Sequence, residues 1–215
     1  RVRIKSIQSR LERVRNQREQ SRRARRRAEL PVLSLVGYTN AGKSTLFNRI
    51  TASEVYAADK LFATLDPILA RVDIEHLGPV LFADTVGFIS DLPTTLVEAF
   101  KATLEETTNA SLLLHVVDVS ANNRDELMAD VEAVLGEIKA DGLPQLIVFN
   151  KLDLLEQPAR IVRDEAGTPT AVYLSAATGE GIDLLVGAVR ERLSRALFDE
   201  EITLDPQRAR LRAAL

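Results

Sequence analysis

The chain has 215 residues, of which 46% are hydrophobic and 27% charged, with no cysteine and a formal net charge of −3. This composition is typical of a globular protein with one substantial core, and the lack of cysteine excludes disulfides and thiolate metal sites. No apolar run in the sequence approaches the roughly 20 residues of a membrane helix, and the charged N-terminus is unlike a signal peptide. We therefore expect a cytoplasmic protein without integral membrane insertion.

The first 30 residues differ sharply in charge from the remainder. They contain 12 Lys and Arg against three Glu, a balance of +9, which leaves −12 for residues 31–215. They lack Gly and Pro, and their apolar residues recur at helical spacing: Ile4, Ile7, Leu11 and Val14. We predict one long helix that ends before Pro31. Its arginine-rich stretch Arg22–Arg27 is interpreted either as part of an exposed helix between domains or as an electrostatic arm for RNA or another polyanion.

Apolar runs alternate with helical patterns from residue 31 to about residue 197. The predicted strands are Val32–Val36, Ile68–Ile74, Val80–Ala83, Leu112–Val119, Leu146–Phe149 and Ala171–Leu174. The predicted helices are Lys43–Ala52, Thr94–Thr107, Arg124–Lys139 and Ile182–Leu197. Such continuous apolar strands predict an α/β fold with a mostly parallel six-stranded sheet flanked by helices, and a short turn at Gly78-Pro79 predicts one antiparallel pair. Ligands bind such sheets at the carboxyl ends of the strands.

A phosphate-binding loop is predicted between the first strand and the first helix of this region. Gly37, Gly42, Lys43 and Ser44 match the pattern G-x-x-x-x-G-K-[ST]. Backbone N–H groups of such a loop converge on phosphate, the lysine adds positive charge, and the serine hydroxyl can bind Mg²⁺. We therefore predict a nucleotide site that contains Gly37, Tyr38, Thr39, Asn40, Ala41, Gly42, Lys43, Ser44 and Thr45.

Two further positions suit the γ-phosphate and its metal ion. Asp84 directly follows a predicted strand and can hold Mg²⁺ through water, while Gly87 can bring a backbone N–H close to the γ-phosphate. Thr64, in the loop before the predicted hairpin, offers a hydroxyl for Mg²⁺ and a backbone group that could sense the same phosphate. The predicted catalytic residues are Lys43, Thr64 and Gly87, and the predicted metal ligands are Ser44, Thr64 and Asp84.

The motif Asn150-Lys151-Leu152-Asp153 resembles the base-recognition motif of GTPase G-domains. The resemblance implies that Asp153 accepts hydrogen bonds from guanine N1 and N2, that Asn150 helps to fix the base, and that the Lys151 stem lies against the ring. A carboxylate suits the two donors of guanine and repels the acceptor edge of adenine, which disfavours ATP. The stretch Ser175, Ala176 and Ala177 resembles the last guanine-contacting loop, in which the Ala176 backbone would meet O6. The implied nucleotides are GTP and GDP.

Longer strings of the chain resemble the HflX family, in the Obg-HflX group of P-loop GTPases: Gly37–Asn48, Leu61–Pro67, Asp84–Ile89, Asp91–Pro93, Leu96–Phe100, Thr103–Glu106 and Leu112–Asp118. HflX-type proteins are ribosome-associated GTPases that bind the large ribosomal subunit and can split stalled or damaged ribosomes. The resemblance therefore implies the large subunit and its ribosomal RNA as partners, and we expect a monomer.

The usual layout of the HflX family implies three parts in this chain. Residues 1–30 would be a basic helical segment at the end of a missing N-terminal domain, residues 31–197 the G-domain, and residues 198–215 a linker and the start of a truncated C-terminal domain. The first residue, Arg1, and the lone methionine, Met128, also lead us to expect a piece of a longer protein.

Phe88 and Asn40 bear on the rate of hydrolysis. Phe88 stands where small GTPases often carry a glutamine that orients the attacking water, so we expect slow intrinsic hydrolysis. Asn40 either closes its own turn or binds K⁺, as an asparagine at this position does in potassium-activated GTPases. The alternative accelerator, which we favour, is the ribosome acting on the loops at Thr64 and Gly87–Leu92.

The sequence leaves two functions open. One is a GTP hydrolase whose turnover resets ribosome binding. The other is a nucleotide-sensing RNA or ribosome clamp, in which hydrolysis is incidental and Arg22–Arg27 supplies the affinity. Stimulation of hydrolysis by large subunits distinguishes the two.

Overall fold

The structure is a computed structural model, and it describes residues 30–52, 68–85, 107–155 and 157–198. Several predictions lie outside these ranges: residues 1–29 of the basic helix, the helix Thr94–Thr107 apart from its last residue, and residues 199–215. The predicted site residues Thr64 and Gly87, and Phe88 beside them, also lie outside the described residues.

One mixed sheet forms the centre of the described region. Its strands are β1 (Val32–Val36), β2 (Ile68–Ile74), β3 (Gly78–Asp84), β4 (Leu112–Asp118), β5 (Gln145–Asn150), β6 (Arg160–Arg163) and β7 (Pro169–Tyr173). They lie in the order β2-β3-β1-β4-β5-β7-β6. Neighbours among β3, β1, β4, β5 and β7 are parallel, whereas β2 and β6 run antiparallel at the two edges. The predicted α/β fold with a mostly parallel sheet is confirmed.

The strand count differs from the prediction, because the described sheet has seven strands rather than six. The additional strand is β6, which pairs antiparallel with β7 at the edge of the sheet. In its four residues, Arg-Ile-Val-Arg, only Ile161 is half-buried, and the other three are exposed. A short edge strand buries little apolar surface, so it lacks the continuous apolar run that identifies the central strands.

Three α-helices lie wholly within the described residues and cover the two faces of this sheet. They are α1 (Lys43–Thr51), α2 (Arg124–Glu137) and α3 (Ile182–Phe198), and their ends lie within two residues of the predicted ones. Leu46 and Phe47 of α1 share one buried cluster with Leu185 and Val189 of α3. Val131 and Leu135 of α2 belong to a second cluster, with residues of β1 and β4. The central strands are therefore buried on both faces, which explains their continuous apolar sequences.

The five parallel strands direct their carboxyl ends to one edge of the sheet. The loops that follow β1, β5 and β7 carry the predicted phosphate and base motifs, and β3 ends with Asp84. A short 3-10 helix, Leu152–Leu154, follows β5 and contains Asp153. Within the described ranges, no helix is both long and apolar enough to cross a membrane.

Candidate functional site

The predicted phosphate loop leaves β1 at Gly37 and enters α1 at Lys43. Gly37 and Gly42 have φ angles of +145° and +93°. A Cβ atom on Gly37 would lie 2.2 Å from the Val116 carbonyl oxygen, and one on Gly42 would lie 2.3 Å from Asn150 Nδ2. Because side chains avoid both these φ angles and such contacts, the two glycines permit a loop that other residues would distort.

Lys43 is buried inside this loop. Its Nζ donates hydrogen bonds to the carbonyl oxygens of Gly37 and Tyr38, at 3.0 and 2.8 Å. Burial lowers the pKa of Lys43 from 10.5 to about 8, although the negative charge of Asp84 opposes this shift. The ammonium group is thus held by neutral carbonyls in a poorly solvated position, where an incoming anion would stabilise its charge.

Ser44 and Asp84 meet where α1 begins and β3 ends. The Ser44 hydroxyl donates to Asp84 Oδ2 at 2.8 Å, and the carboxylate is fully buried. Hydroxyl and carboxylate oxygens are hard ligands of the kind that Mg²⁺ prefers, so this pair fits Mg²⁺. The described residues contain no group of three or more His, Cys, Asp or Glu side chains that could hold a metal ion, so Mg²⁺ here would need phosphate or water oxygens as well.

Asn150 joins the phosphate loop to the predicted base loop. Its Nδ2 donates to the Ala41 carbonyl at 2.9 Å, and its Oδ1 accepts from the Ala176 N–H at 2.9 Å. That N–H is the group that the G-domain resemblance assigns to guanine O6, so a bound base would share it with Asn150 or take it over. One buried amide therefore fixes two loops that are more than 100 residues apart in the chain.

Asp153 and Ser175 form a second link at this end of the site. The Ser175 hydroxyl donates to Asp153 Oδ1 at 2.5 Å and accepts from the Thr178 N–H at 3.1 Å. The Asp153 carboxylate is thereby held beside the loop that follows β7. Ala177, the last of the predicted base-loop residues, is exposed. The two predicted base motifs thus lie side by side.

Sequence reasoning missed Asp118, which ends β4 and holds Lys151. Lys151 Nζ lies 2.8 Å from Asp118 Oδ2, and Lys151 itself has a positive φ of 66°. Burial alone would raise the pKa of Asp118, but hydrogen bonds from Lys151 and Ser120 outweigh burial and lower it. A polar residue at the carboxyl end of a buried strand was the available sequence signal. Asp118 stays charged at neutral pH and fixes the lysine of the base motif.

Sequence reasoning also missed Arg49, an exposed residue of α1. Its Nε donates to the Ala176 carbonyl at 3.1 Å, and its Nη2 donates to the Ala177 carbonyl. No sequence signal could have found this contact, because an arginine on the outer face of a helix usually indicates only a solvated surface.

A cavity of about 300 Å³ lies beside the phosphate loop. Its lining includes Tyr38–Ala41 of the loop, His115–Asp118 of β4, and Leu127 and Met128 of α2. His115 is 1% exposed, its Nδ1 makes no hydrogen bond to any described residue, and Glu132 Oε1 lies 3.7 Å from that atom. Burial, with a smaller effect from the positive charge of Lys43, lowers the pKa of His115 to about 4. The imidazole is therefore neutral at pH 7.

Comparisons with known proteins agree on one group of relatives. Residues 32–151 match the model of a family described as 50S ribosome-binding GTPase. The chain is 56% identical to the GTPase HflX of Escherichia coli (strain K12), over 99% of this chain and 50% of that protein. It is 46% identical to the GTPase HflX of Caldanaerobacter subterraneus subsp. tengcongensis, over 93% of this chain and 44% of that protein. The chain thus spans about half the length of these relatives.

Among solved structures, the chain resembles a GTP-binding protein from the archaeon Sulfolobus solfataricus in complex with GDP. The TM-score is 0.61 with 24% sequence identity, over 85% of this chain and 58% of that one. This likeness supports the P-loop G-domain fold.

Proposed function

We propose that this chain, which belongs to the HflX family of GTPases, binds GTP and hydrolyses it to GDP and phosphate while acting on the large ribosomal subunit. The observation that carries the proposal is the arrangement at the carboxyl edge of the sheet. The phosphate loop, Asp84, the Asn150–Asp153 motif and the Ser175–Ala177 loop end on that edge and are joined by direct hydrogen bonds. A site for phosphate at one end and for a base at the other fits a nucleotide.

The proposed phosphate end consists of residues Gly37–Thr45. Backbone N–H groups at the start of α1 bind the phosphates, and Lys43 exchanges its two carbonyl acceptors for β- and γ-phosphate oxygens. Ser44 and Asp84 would hold Mg²⁺, Asp84 through water; when bound, the ion offsets negative charge that develops on the phosphates. Two residues predicted from the sequence complete this proposed site. They are Thr64, as a further metal ligand and switch residue, and Gly87, as a γ-phosphate contact.

The proposed base end reads guanine through hydrogen bonds. Asp153 accepts from N1 and N2, the Lys151 stem covers the ring, and the Ser175–Ala177 loop donates to O6. The contacts of Asp118 with Lys151 and of Ser175 with Asp153 support this assignment, because they fix both side chains before a ligand arrives.

The ribosomal part of the proposal rests on family membership and on the charge of residues 1–30. The family description names 50S ribosome binding, and Arg22–Arg27 would add salt-dependent affinity for ribosomal RNA. Splitting of stalled ribosomes, action in the cytoplasm as a monomer, and the division into residues 1–30, 31–197 and 198–215 belong to the same proposal. Ordering of the loops at Thr64 and Gly87 by GTP would couple nucleotide state to ribosome binding.

The test is the GTP hydrolysis rate of the chain alone and with purified large ribosomal subunits. We expect slow hydrolysis alone, because Phe88 offers no group to orient water, and at least about tenfold stimulation by subunits. Lys43→Met should abolish the stimulated rate, whereas Lys139→Met, which removes an exposed lysine, should not. Rates in K⁺ and Na⁺ buffers test whether Asn40, whose φ is +61°, contributes a monovalent cation site.

Two outcomes would change the proposal. GTP-dependent subunit binding without any stimulation of hydrolysis would favour the clamp in which hydrolysis is incidental. A preference for ATP over GTP would overturn the proposed role of Asp153.

A further inference from the structure

Arg49 makes a contact that its position on the chain does not predict. It lies on the exposed side of α1, yet its guanidinium group donates to two successive carbonyl groups of the Ser175–Ala177 loop. Arg49 and Ala176, which one of these hydrogen bonds joins, are 127 positions apart in the sequence. A Cβ atom built on Gly179 would lie 3.8 Å from the guanidinium carbon, which is ordinary van der Waals contact, so the turn at Gly179 packs against this side chain.

The contact fixes a peptide group that is already held on its other side. The Ala176 N–H donates to Asn150 Oδ1 at 2.9 Å, while the Ala176 carbonyl accepts from Arg49 Nε at 3.1 Å. The planar guanidinium group has donors in a rigid fork, so two bonds to adjacent carbonyls restrict the rotation of both peptide planes. Ala176 is 1% exposed, which further limits its freedom.

Arg49 also sits on the helix that begins at the phosphate loop. Lys43 and Ser44 open α1, and Arg49 lies about one and a half turns later on the same rigid element. The helix therefore connects the phosphate end of the site to the loop at the base end.

We propose that Arg49 is a positioning residue for base recognition: its bonds to the Ala176 and Ala177 carbonyls orient the loop's N–H groups toward O6 of the base. The proposal rests on the proposed guanine nucleotide function. Arg49 touches neither nucleotide nor metal in it and acts only through the loop.

The test compares nucleoside diphosphates that differ at the hydrogen-bonding edge of the base. GDP and IDP both carry O6 and the N1 hydrogen, whereas 2-aminopurine riboside diphosphate lacks both but keeps the N2 amino group, so each affinity is compared with that of the unmodified chain for the same nucleotide. In Arg49→Ala, we expect the affinity for GDP and for IDP to fall about tenfold, and the affinity for the 2-aminopurine nucleotide to fall less than about twofold. Dissociation constants from calorimetry on the full chain give the three ratios.

Two further variants make the result specific. Arg49→Lys keeps the charge but loses the fork, so its loss should be intermediate and again confined to bases with O6. Arg71→Ala removes an arginine on β2 whose side chain is 61% exposed, and it should leave all three affinities unchanged. Thermal melting of each nucleotide-free variant shows that the chain is folded.

Equal losses for all three nucleotides would overturn the proposal, since they would indicate general loosening of the site. Unchanged GDP affinity in Arg49→Ala would overturn it as well. Failure of the unmodified chain to prefer GDP over ADP is a different result, because it would contradict the proposed function itself.

Discussion

The two ends of the candidate site are built in different ways. At the phosphate end, the geometry comes from one continuous segment, Gly37–Ser44, whose backbone takes positive φ angles at Gly37, Asn40 and Gly42. At the base end, side chains join distant segments, as Asn150 joins Ala41 to Ala176. A local sequence motif can predict a loop that is shaped by its own backbone, but it cannot predict a loop that is fixed by long-range side-chain contacts. The phosphate end should therefore be sensitive to backbone changes and the base end to side-chain chemistry.

Asp153→Asn should have the largest effect and tests the base end. Ser175 Oγ donates to Asp153 Oδ1, so the asparagine carbonyl would take that place and turn its NH₂ group toward the donors of guanine. We expect about a 10⁴-fold loss of GDP affinity, since a site built to accept hydrogen bonds rejects a mismatched edge this strongly. Xanthosine diphosphate, with an acceptor at position 2, should bind better than GDP.

Calorimetric titration with both nucleotides measures this change. Asp125→Asn is the matched control, because that carboxylate is 88% exposed on α2. An unchanged preference for GDP in Asp153→Asn would show that the base end does not depend on this side chain.

Gly37→Ala tests the backbone of the phosphate end. The added Cβ would meet the Val116 carbonyl oxygen at 2.2 Å, at a φ that side chains rarely adopt. We expect a loss of about 4 kcal/mol in the free energy of unfolding, from overpacking and backbone strain together. Urea denaturation measures it. Gly136→Ala, within α2 and with open space around the position, should instead gain roughly 0.5–1 kcal/mol. Similar effects at both positions would contradict the importance of the Gly37 backbone.

His115 tests the core behind the phosphate loop. Its folded pKa of about 4 is below the ordinary 6.5, so the unfolded chain binds a proton first as the pH falls. Stability should therefore drop between pH 6.5 and pH 4, by up to about 3 kcal/mol. In His115→Gln this part of the pH dependence should disappear, as followed by denaturation at several pH values. His76→Gln, at an exposed hairpin residue, should retain it. A His115→Gln profile parallel to the unmodified one would refute the assignment.

Lys43 should give the smallest effect and tests the charge at the phosphate end. Without a ligand its pKa is about 8, and phosphate oxygens should restore the charged form. At pH 9, GDP binding should take up nearly one proton and be about tenfold weaker than at pH 7. Calorimetry in buffers of different ionisation enthalpy measures the uptake. The same titration at pH 7 is the control, because Lys43 is already protonated there. No uptake at pH 9 would mean that Lys43 does not meet the phosphates.

The sequence predicted the fold where burial leaves a strong pattern. The bounds of β1 agree with the predicted strand, because all five of its residues are buried and form an apolar run. The bounds of β2 also agree, although its residues are mostly half-buried, because its alternating apolar residues lead into a short turn. It failed at β6, a short edge strand with little buried surface. The Asp118 and Arg49 contacts were missed for a different reason: each depends on which segments the folded sheet brings together. Thr64 and Gly87 remain predictions from the sequence.

The edges of the sheet have a consequence for solubility. A strand with one unpaired side offers backbone groups to which another chain can add. In this sheet, β6 begins and ends with arginine and β2 carries the exposed pair Arg71 and Asp73. Charged side chains on edge strands oppose such addition, because pairing with another chain would strip them of water. Among the described strands, the two antiparallel edges thus carry charged side chains that disfavour strand addition to an otherwise highly apolar sheet.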